Sequence, residues 1–257
     1  MNRQKLIKAL QQKKQRDNKG LFVLEGDRII SDLIQSGELN EGNVEYICGT
    51  KNWIDRMSAF GFPTLSRMVV APEDELKKLS AFQTPPEVLA IVKTAIASFN
   101  IEMIKENYTL VFDKIRDPGN LGTIIRTADW FGIRNIICSI DSVDHYNNKV
   151  VQASMGSIMR MNVHYMELHE LFSHANRLKV PVYGTAMDGV DLFDTPVKKQ
   201  GIIVFGNESA GIDPRYGSFF KTKLRIPNYP GSNHTVESLN IASSVAVTCS
   251  ELRRRER

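Results

Sequence analysis

Phe112-Asp113-Lys114-Ile115-Arg116-Asp117-Pro118-Gly119-Asn120-Leu121-Gly122-Thr123-Ile124-Ile125-Arg126-Thr127-Ala128 is the stretch on which the fold turns. Residues 109–112 read as a buried strand, which ends in a polar loop that opens a helix. Leu121, Ile124, Ile125, Ala128 and Phe131 recur at helical spacing, so one face of that helix is apolar. Asn120, Thr123 and Arg126 fall on or near the other face. Gly119 and Gly122 permit close approach to the backbone. The helix N-terminus suits an anion, and Arg126 is able to grip a phosphate with two hydrogen bonds. The loop matches neither the Walker phosphate loop nor G-x-G-x-x-G, which argues against an ordinary nucleotide hydrolase or dinucleotide-binding fold.

Working outward, strands alternate with helices. Residues 135–140, 181–185, 201–205 and 223–226 read as strands, with helices near 147–158, 167–178 and 236–253. Such alternation predicts a parallel sheet covered on both faces. The N-terminal part alternates in the same way, and Pro85-Pro86 precedes a strand at 88–92. The predicted organisation is therefore a small α/β domain over 1–94, a connector over 95–106 and a larger α/β domain over 107–257.

Two further loops carry polar residues at strand ends. Gly201-Ile202-Ile203-Val204-Phe205 runs into Gly206-Asn207-Glu208-Ser209-Ala210-Gly211-Ile212, a glycine-bounded acidic turn at the carboxyl end of a strand, where open α/β sheets bind ligands. Leu224-Arg225-Ile226-Pro227 leads through a polar loop to Ser238-Leu239-Asn240-Ile241-Ala242. Thr235 and Ser238 are the candidate caps of the last helix.

The chain has 257 residues, a net charge of +4 and 42% hydrophobic residues, which excludes a disordered or collagenous chain. Charge is unevenly placed: the first 20 residues sum to +6 and the rest to −2. A basic end on a near-neutral body suggests a polyanionic partner, nucleic acid being the commonest. Cys48, Cys138 and Cys249 stand far apart, against a disulfide framework or a cysteine zinc site. His164, His169 and His174 are five apart, off one helical face, so no metal site is expected. No run reaches the roughly 20 apolar residues of a membrane span. The N-terminus MNRQKLIKALQQKKQR has no apolar segment, so no secretion signal and a cytoplasmic setting are expected. Trp130 reads as core or dimer packing. Arg253, Arg254, Arg255 and Arg257 either extend a polyanion-facing surface or complement the last helix's dipole.

Taken together, D-P-G-N-L-G-T-I-I-R-T-A, then G-N-E-S-A-G-I, then I-P followed by E-S-L-N-I-A resemble, in order, the three signature motifs of the SpoU (TrmH-like) RNA ribose methyltransferases. The N-terminal part, with Lys13, Arg16 and Gly20-Leu21-Phe22-Val23-Leu24-Glu25-Gly26, resembles the RNA substrate-binding domain often joined to them. The resemblance implies a parallel-sheet SPOUT-type α/β domain ending in a trefoil knot, binding of S-adenosylmethionine there, and a homodimer. It implies that Gly206, Ile226 and Leu239 contact the cofactor, with Thr185 and Ala186 beside it. Asn120, Arg126, Glu208, Ser238 and Asn240 would form the catalytic, RNA-facing set. The implied activity is 2′-O-methylation of ribose, on large-subunit ribosomal RNA rather than transfer RNA. A non-catalytic RNA-binding or ribosome-assembly factor is the competing class. The loop 228–237 is longer and more polar than the family pattern, and His234 lies within it.

Overall fold

A computed structural model describes residues 3–62, 65–95, 99–229 and 238–256. In chain order the elements are α1 (Arg3–Leu10), α2 (Lys13–Lys19), β1 (Leu21–Glu25), α3 (Asp27–Gln35), β2 (Val44–Gly49), α4 (Lys51–Ala59), β3 (Met68–Val70), α5 (Glu73–Leu79), β4 (Val88–Lys93), β5 (Tyr108–Phe112), α6 (Pro118–Trp130), β6 (Asn135–Ser139), α7 (Asn148–Ser154), β7 (Asn162–Met166), α8 (Leu168–Arg177), β8 (Val182–Asp191), β9 (Gly201–Phe205), β10 (Thr222–Arg225) and α9 (Ile241–Arg254). Short 3-10 turns occupy Ile101–Lys105, Ser157–Met159 and Pro214–Phe219.

The chain divides into two compact units. The first takes Met1–Ile96 together with Asp144–Arg160, and the second takes Ala97–Val143 and Met161–Arg257. The first unit is thus discontinuous in sequence: α7 packs on β1. Its sheet has the order β1-β4-β2-β3. Alternation of helices and strands predicts parallel strands there, but β4 inserts between β1 and β2 and runs antiparallel to both; only β2 and β3 are parallel. The reason is burial: Val88 to Val92 are all inaccessible, which is the centre of a sheet rather than its edge.

The sequence groups Arg16 with the basic N-terminal end; the structure buries it instead. Its side chain is 3% exposed. Nη1 donates to the carbonyls of Leu10 and Gln11 at 2.8 and 2.9 Å, completing the end of α1, and Nη2 donates to Asp144 Oδ2 at 2.5 Å. Tyr146 follows, its ring 4.5 Å from that of Phe22 and its hydroxyl accepting from Ala95 N at 3.0 Å. The borrowed segment is therefore held by a buried ion pair and an aromatic contact.

The second unit carries a six-stranded sheet of order β10-β8-β9-β5-β6-β7, parallel throughout. Val111, Ile137, Val182, Ile202 and Val204 pack with Phe172 of α8 and Tyr216 in one core. Strand alternation sends Leu110, Phe112, Ile203 and Phe205 to the opposite face, and α6 packs against α9. The chain proceeds from β5 outward to β7, then crosses to the other half of the sheet. The switch point lies between β5 and β9, and a crevice outside the carboxyl ends of these strands is where such sheets bind ligands. The three cysteines are buried and free. Among the described residues no helix is long and apolar enough to cross a membrane.

The C-terminal arginines are structural. Arg253 donates to the carbonyls of Phe131 and Gly132 beyond α6, and Arg255 to those of Leu192 and Thr195. Glu251 pairs with Arg254 and Arg255, and the Arg254 hydrogen bond above all holds its carboxyl down at about 2, with Arg255 assisting. Arg257 lies outside the described residues.

Two outcomes are expected. Arg16→Met takes the guanidinium from the largely buried Asp144 and leaves it the Tyr146 amide and the neighbouring His145 ring, so urea denaturation should read a loss of about 3 kcal/mol, partly recovered in Arg16→Met/Asp144→Leu. Glu251 has a depressed carboxyl in the folded chain, so its stabilisation is complete above its ordinary value of 4.5 and fades as pH falls towards about 2. Melting curves of Glu251→Gln should be flatter than wild type across that window.

Candidate active site

Two of the three polar loops begin on neighbouring strands. Phe112 at the end of β5 pairs with Phe205 at the end of β9, so the loops that follow leave the sheet side by side. The first opens α6. Asp117 caps it, its Oδ1 accepting from Asn120 N at 2.7 Å, and Pro118 occupies the first turn, where its missing N–H costs nothing. The chain itself thus meets one of the free amides at that N-terminus.

The second loop closes on itself. Asn207 and Gly211 exchange both backbone hydrogen bonds, at 3.0 and 2.9 Å. A Cβ on Gly206 would lie 2.1 Å from the Gly211 carbonyl carbon, so glycine is required by the turn's own crossing. Glu208 sits exposed at its tip.

The third loop contributes α9. Residues 230–237 lie outside the described residues, so the Thr235 cap, His234 and most of the longer loop do too. The cap of α9 is Asn240, not Ser238: Asn240 Oδ1 accepts from Ala242 N and Ser243 N at 2.9 and 3.4 Å. Ser238 lies two residues before the cap, too early to reach the first turn's amides.

That cap fixes the polarity of a chain of side chains. With Oδ1 committed to the helix, Asn240 presents its Nδ2, which donates to Asn120 Oδ1 at 3.0 Å. Asn120 then presents its own Nδ2, which donates to Glu208 Oε1 at 2.8 Å. One residue from each loop is thereby joined, and the relay ends on a carboxylate oxygen, which accepts.

Beside it lies a cavity of about 790 Å³, within the range of small-molecule sites. Thr185, Ala186, Gly206, Ile226 and Leu239 all line it, as do Glu208 and Ser238. Asn120 and Asn240 reach it through the relay. Arg126 does not: it is exposed on α6 and makes no hydrogen bond or ion pair to a described residue.

Met187 and Asp213 also line the cavity and were not picked out from the sequence. A strand over 181–185 was expected; β8 instead runs to Asp191 with an arch in it. Lys223 pairs with Gly184 but Leu224 with Val190, so residues 185–189 leave the ladder. Lys223 Nζ holds the arch at Asp188, 2.8 Å away. A Cβ on Gly189 would meet the Leu224 carbonyl carbon at 2.8 Å. Asp188-Gly189, a turn dipeptide inside a strand pattern, was the available signal.

The relay's polarity has a direct consequence. Asn120→Asp sets a carboxylate against Glu208, so its melting temperature should fall by about 2–4 °C at pH 7, roughly 1 kcal/mol, and recover as pH drops and the pair takes up a proton. Glu208→Gln, which keeps an acceptor for Asn120, should melt like wild type at both pH values.

A profile of the SpoU rRNA methylase family matches residues 107–250, and one of the MRM3-like substrate binding domain matches residues 2–90. The 23S rRNA (guanosine(2553)-2′-O)-methyltransferase RlmP of Bacillus subtilis is 26% identical, over 96% of this chain and 94% of its own. Among solved structures, a TrmH-family chain from Porphyromonas gingivalis aligns with a TM-score of 0.83 and 32% identity, covering 99% of this chain and 98% of that one. The S-adenosylmethionine-bound rRNA methyltransferase from Sinorhizobium meliloti aligns with a TM-score of 0.80 and 26% identity, over 98% and 94%. With its motif loops joined at one cavity and more than half its length matched, the chain belongs to the SpoU rRNA methylase family.

Proposed function

We propose that this protein transfers the methyl group of S-adenosylmethionine to a ribose 2′-hydroxyl of RNA, with large-subunit ribosomal RNA as its substrate. The observation that carries this reading is the Asn240–Asn120–Glu208 relay at the mouth of a cavity that all five expected cofactor residues line. The Bacillus subtilis relative acts on 23S rRNA, which supports the substrate class.

The cavity suits the cofactor chemically. Met187, Leu224, Ile226, Leu239 and Ile241 offer apolar surface for a nucleoside, and the Glu208 carboxylate offers negative charge to a sulfonium or an amine, whereas Asp213 is already paired with Arg215 and Lys114. The bound cofactor supplies an already electrophilic methyl carbon. The chain's work is to orient the hydroxyl in line with the departing sulfur, ease the loss of its proton and keep water away. Glu208 accepts from Asn120, and in that role it orients the amide rather than abstracting a proton. Arg126 is a permanent cation, left unpaired on the same helix as Asn120, about 9 Å further along it. We assign it to clamping an RNA phosphate and stabilising developing negative charge on the 2′-oxygen. Ser238 and Asn240 lie on the approach to the cavity.

In this reading residues 1–94 form the RNA-binding domain, 95–106 the connector and 107–257 the methyltransferase domain, with 144–160 lent to the N-terminal unit. The C-terminal segment is threaded as a trefoil knot, the enzyme is a cytoplasmic homodimer, and Trp130 belongs to the dimer face. Family membership supports the knot and the dimer. Trp130 is 85% exposed at the end of α6, against the core reading and in favour of a covered surface in the assembly.

Transfer of labelled methyl from S-adenosylmethionine to ribosomal and transfer RNA from a strain lacking the gene tests the reading. Label is expected in an alkali-resistant dinucleotide of 23S rRNA. Arg126→Ala should abolish transfer, by about 100-fold or more, while cofactor binding measured by calorimetry stays within about twofold, a change of less than 0.5 kcal/mol. Label in transfer RNA alone would move the substrate. Absence of both label and cofactor binding would favour the RNA-binding factor.

A further inference from the structure

We propose that Asp113 is a positioning residue for the cofactor cavity: with the backbone of Lys114, it holds both stems of the turn that carries Glu208. The inference rests on the methyltransferase reading above. The turn leaves β9 at Phe205 and returns to the cavity wall at Asp213. On its outgoing stem, Asn207 Nδ2 donates to the Lys114 carbonyl at 3.1 Å. On its returning stem, Asp213 N donates to Asp113 Oδ2 at 2.8 Å. Two consecutive residues at the end of β5 therefore fix both ends of residues 207–213, and residues 206–213 all line the cavity. Asn120 fixes the tip from the other side.

The local chemistry shows what this arrangement costs. Asp113 is 1% exposed, and its Oδ1 has no hydrogen-bond partner among the described residues. Burial pushes its carboxyl above the ordinary range. A buried, half-satisfied carboxylate does not serve stability. Lys114 adopts a left-handed backbone, φ 59°, a conformation that non-glycine residues hold only where their surroundings impose it, commonly at functional sites. Its amide is anchored to Ser139 Oγ at 2.8 Å, and its Nζ reaches Asp213 Oδ2 at 3.4 Å. In that conformation the Lys114 carbonyl meets Asn207. Strain and an underpaired charge thus coincide at the two residues that tie the turn down.

The test uses the full-length protein and S-adenosylmethionine. By calorimetry, Asp113→Ala should bind the cofactor at least tenfold more weakly, and the amides of Gly211 and Asp213 should exchange hydrogen faster, with no matching fall in melting temperature. Asp113→Asn keeps an acceptor for Asp213 N and should restore affinity to near wild type. Cofactor affinity unchanged in a folded Asp113→Ala overturns the proposal, as does equal loss in both variants in step with a lowered melting temperature, which marks a merely structural residue. Exchange in the wild-type protein without cofactor is the second measurement: Asp213 N should be more protected than Ser209 N, and equal, rapid exchange at both overturns the tie whether or not Asp113→Ala folds. Failure of the wild-type protein to bind the cofactor would instead defeat the functional reading, and is seen separately.

Discussion

The pairing of β5 with β9 is the constraint on which the site depends. Neither strand follows the other in sequence: β6, β7 and β8 intervene. Five parallel residue pairs, from Tyr108 with Gly201 to Phe112 with Phe205, lock their ends level. In a parallel sheet both chains then emerge on the same edge. Because the chain's direction of travel reverses at this pair, the two loops have no crossover packed between them and open onto a shared crevice. A slip of one residue would part Phe112 and Phe205 onto opposite faces, whereas their rings now lie 5.5 Å apart in a stacked arrangement. It would also shift Asp113 away from Asp213 N. The hydrophobic register and the polar tie therefore depend on the same alignment.

Above the sheet, direction is set by helix capping. An asparagine amide is nearly symmetrical in shape, so a chain of two asparagines has no intrinsic polarity. Here Ala242 N and Ser243 N demand an acceptor, Asn240 Oδ1 supplies it, and every later donor and acceptor follows. The relay ends on Glu208, whose Oε1 is thereby tied to Asn120. A satisfied network of this kind restrains each member more than its separate bonds would. The side chain outside it, Arg126, is the one whose proposed partner is RNA.

The three loops were legible in the sequence because each joins a run of apolar residues to polar residues at a fixed spacing, and the order of the three motifs identified the family. Strand order was not legible, since alternation of helices and strands does not say which strands are neighbours. For the same reason the antiparallel insertion of β4 went unseen. The Ser238 cap failed for a different reason: serine and asparagine both cap helices, and only the backbone shows which one stands at the helix start. Met187 was hidden because a strand that arches and then resumes reads as a strand that has ended, and Asp213 because it stands just beyond the glycine-bounded turn 206–212 that the motif marks.

Charge counting was the least transferable part of the sequence reading, and the reason is physical. A guanidinium with five donors is as useful for closing backbone carbonyls as for gripping a phosphate. Arg16 is consumed by Leu10, Gln11 and Asp144. Arg253 and Arg255 are consumed by carbonyls of four other residues. Lys13 is paired with Asp17 at the surface, a contact worth little and readily exchanged. Lys5, Lys8, Lys14 and Lys19 remain exposed on the N-terminal segment. Lysine carries its charge as a flexible point with no preferred plane, which suits a sequence-independent hold on a polyanion. Arg16, Arg253 and Arg255 thus build the scaffold, the exposed lysines of the N-terminal segment are available to attract a polyanion over long range, and Arg126 is an exposed guanidinium, with no hydrogen bond or ion pair to a described residue, on the helix that also carries Asn120.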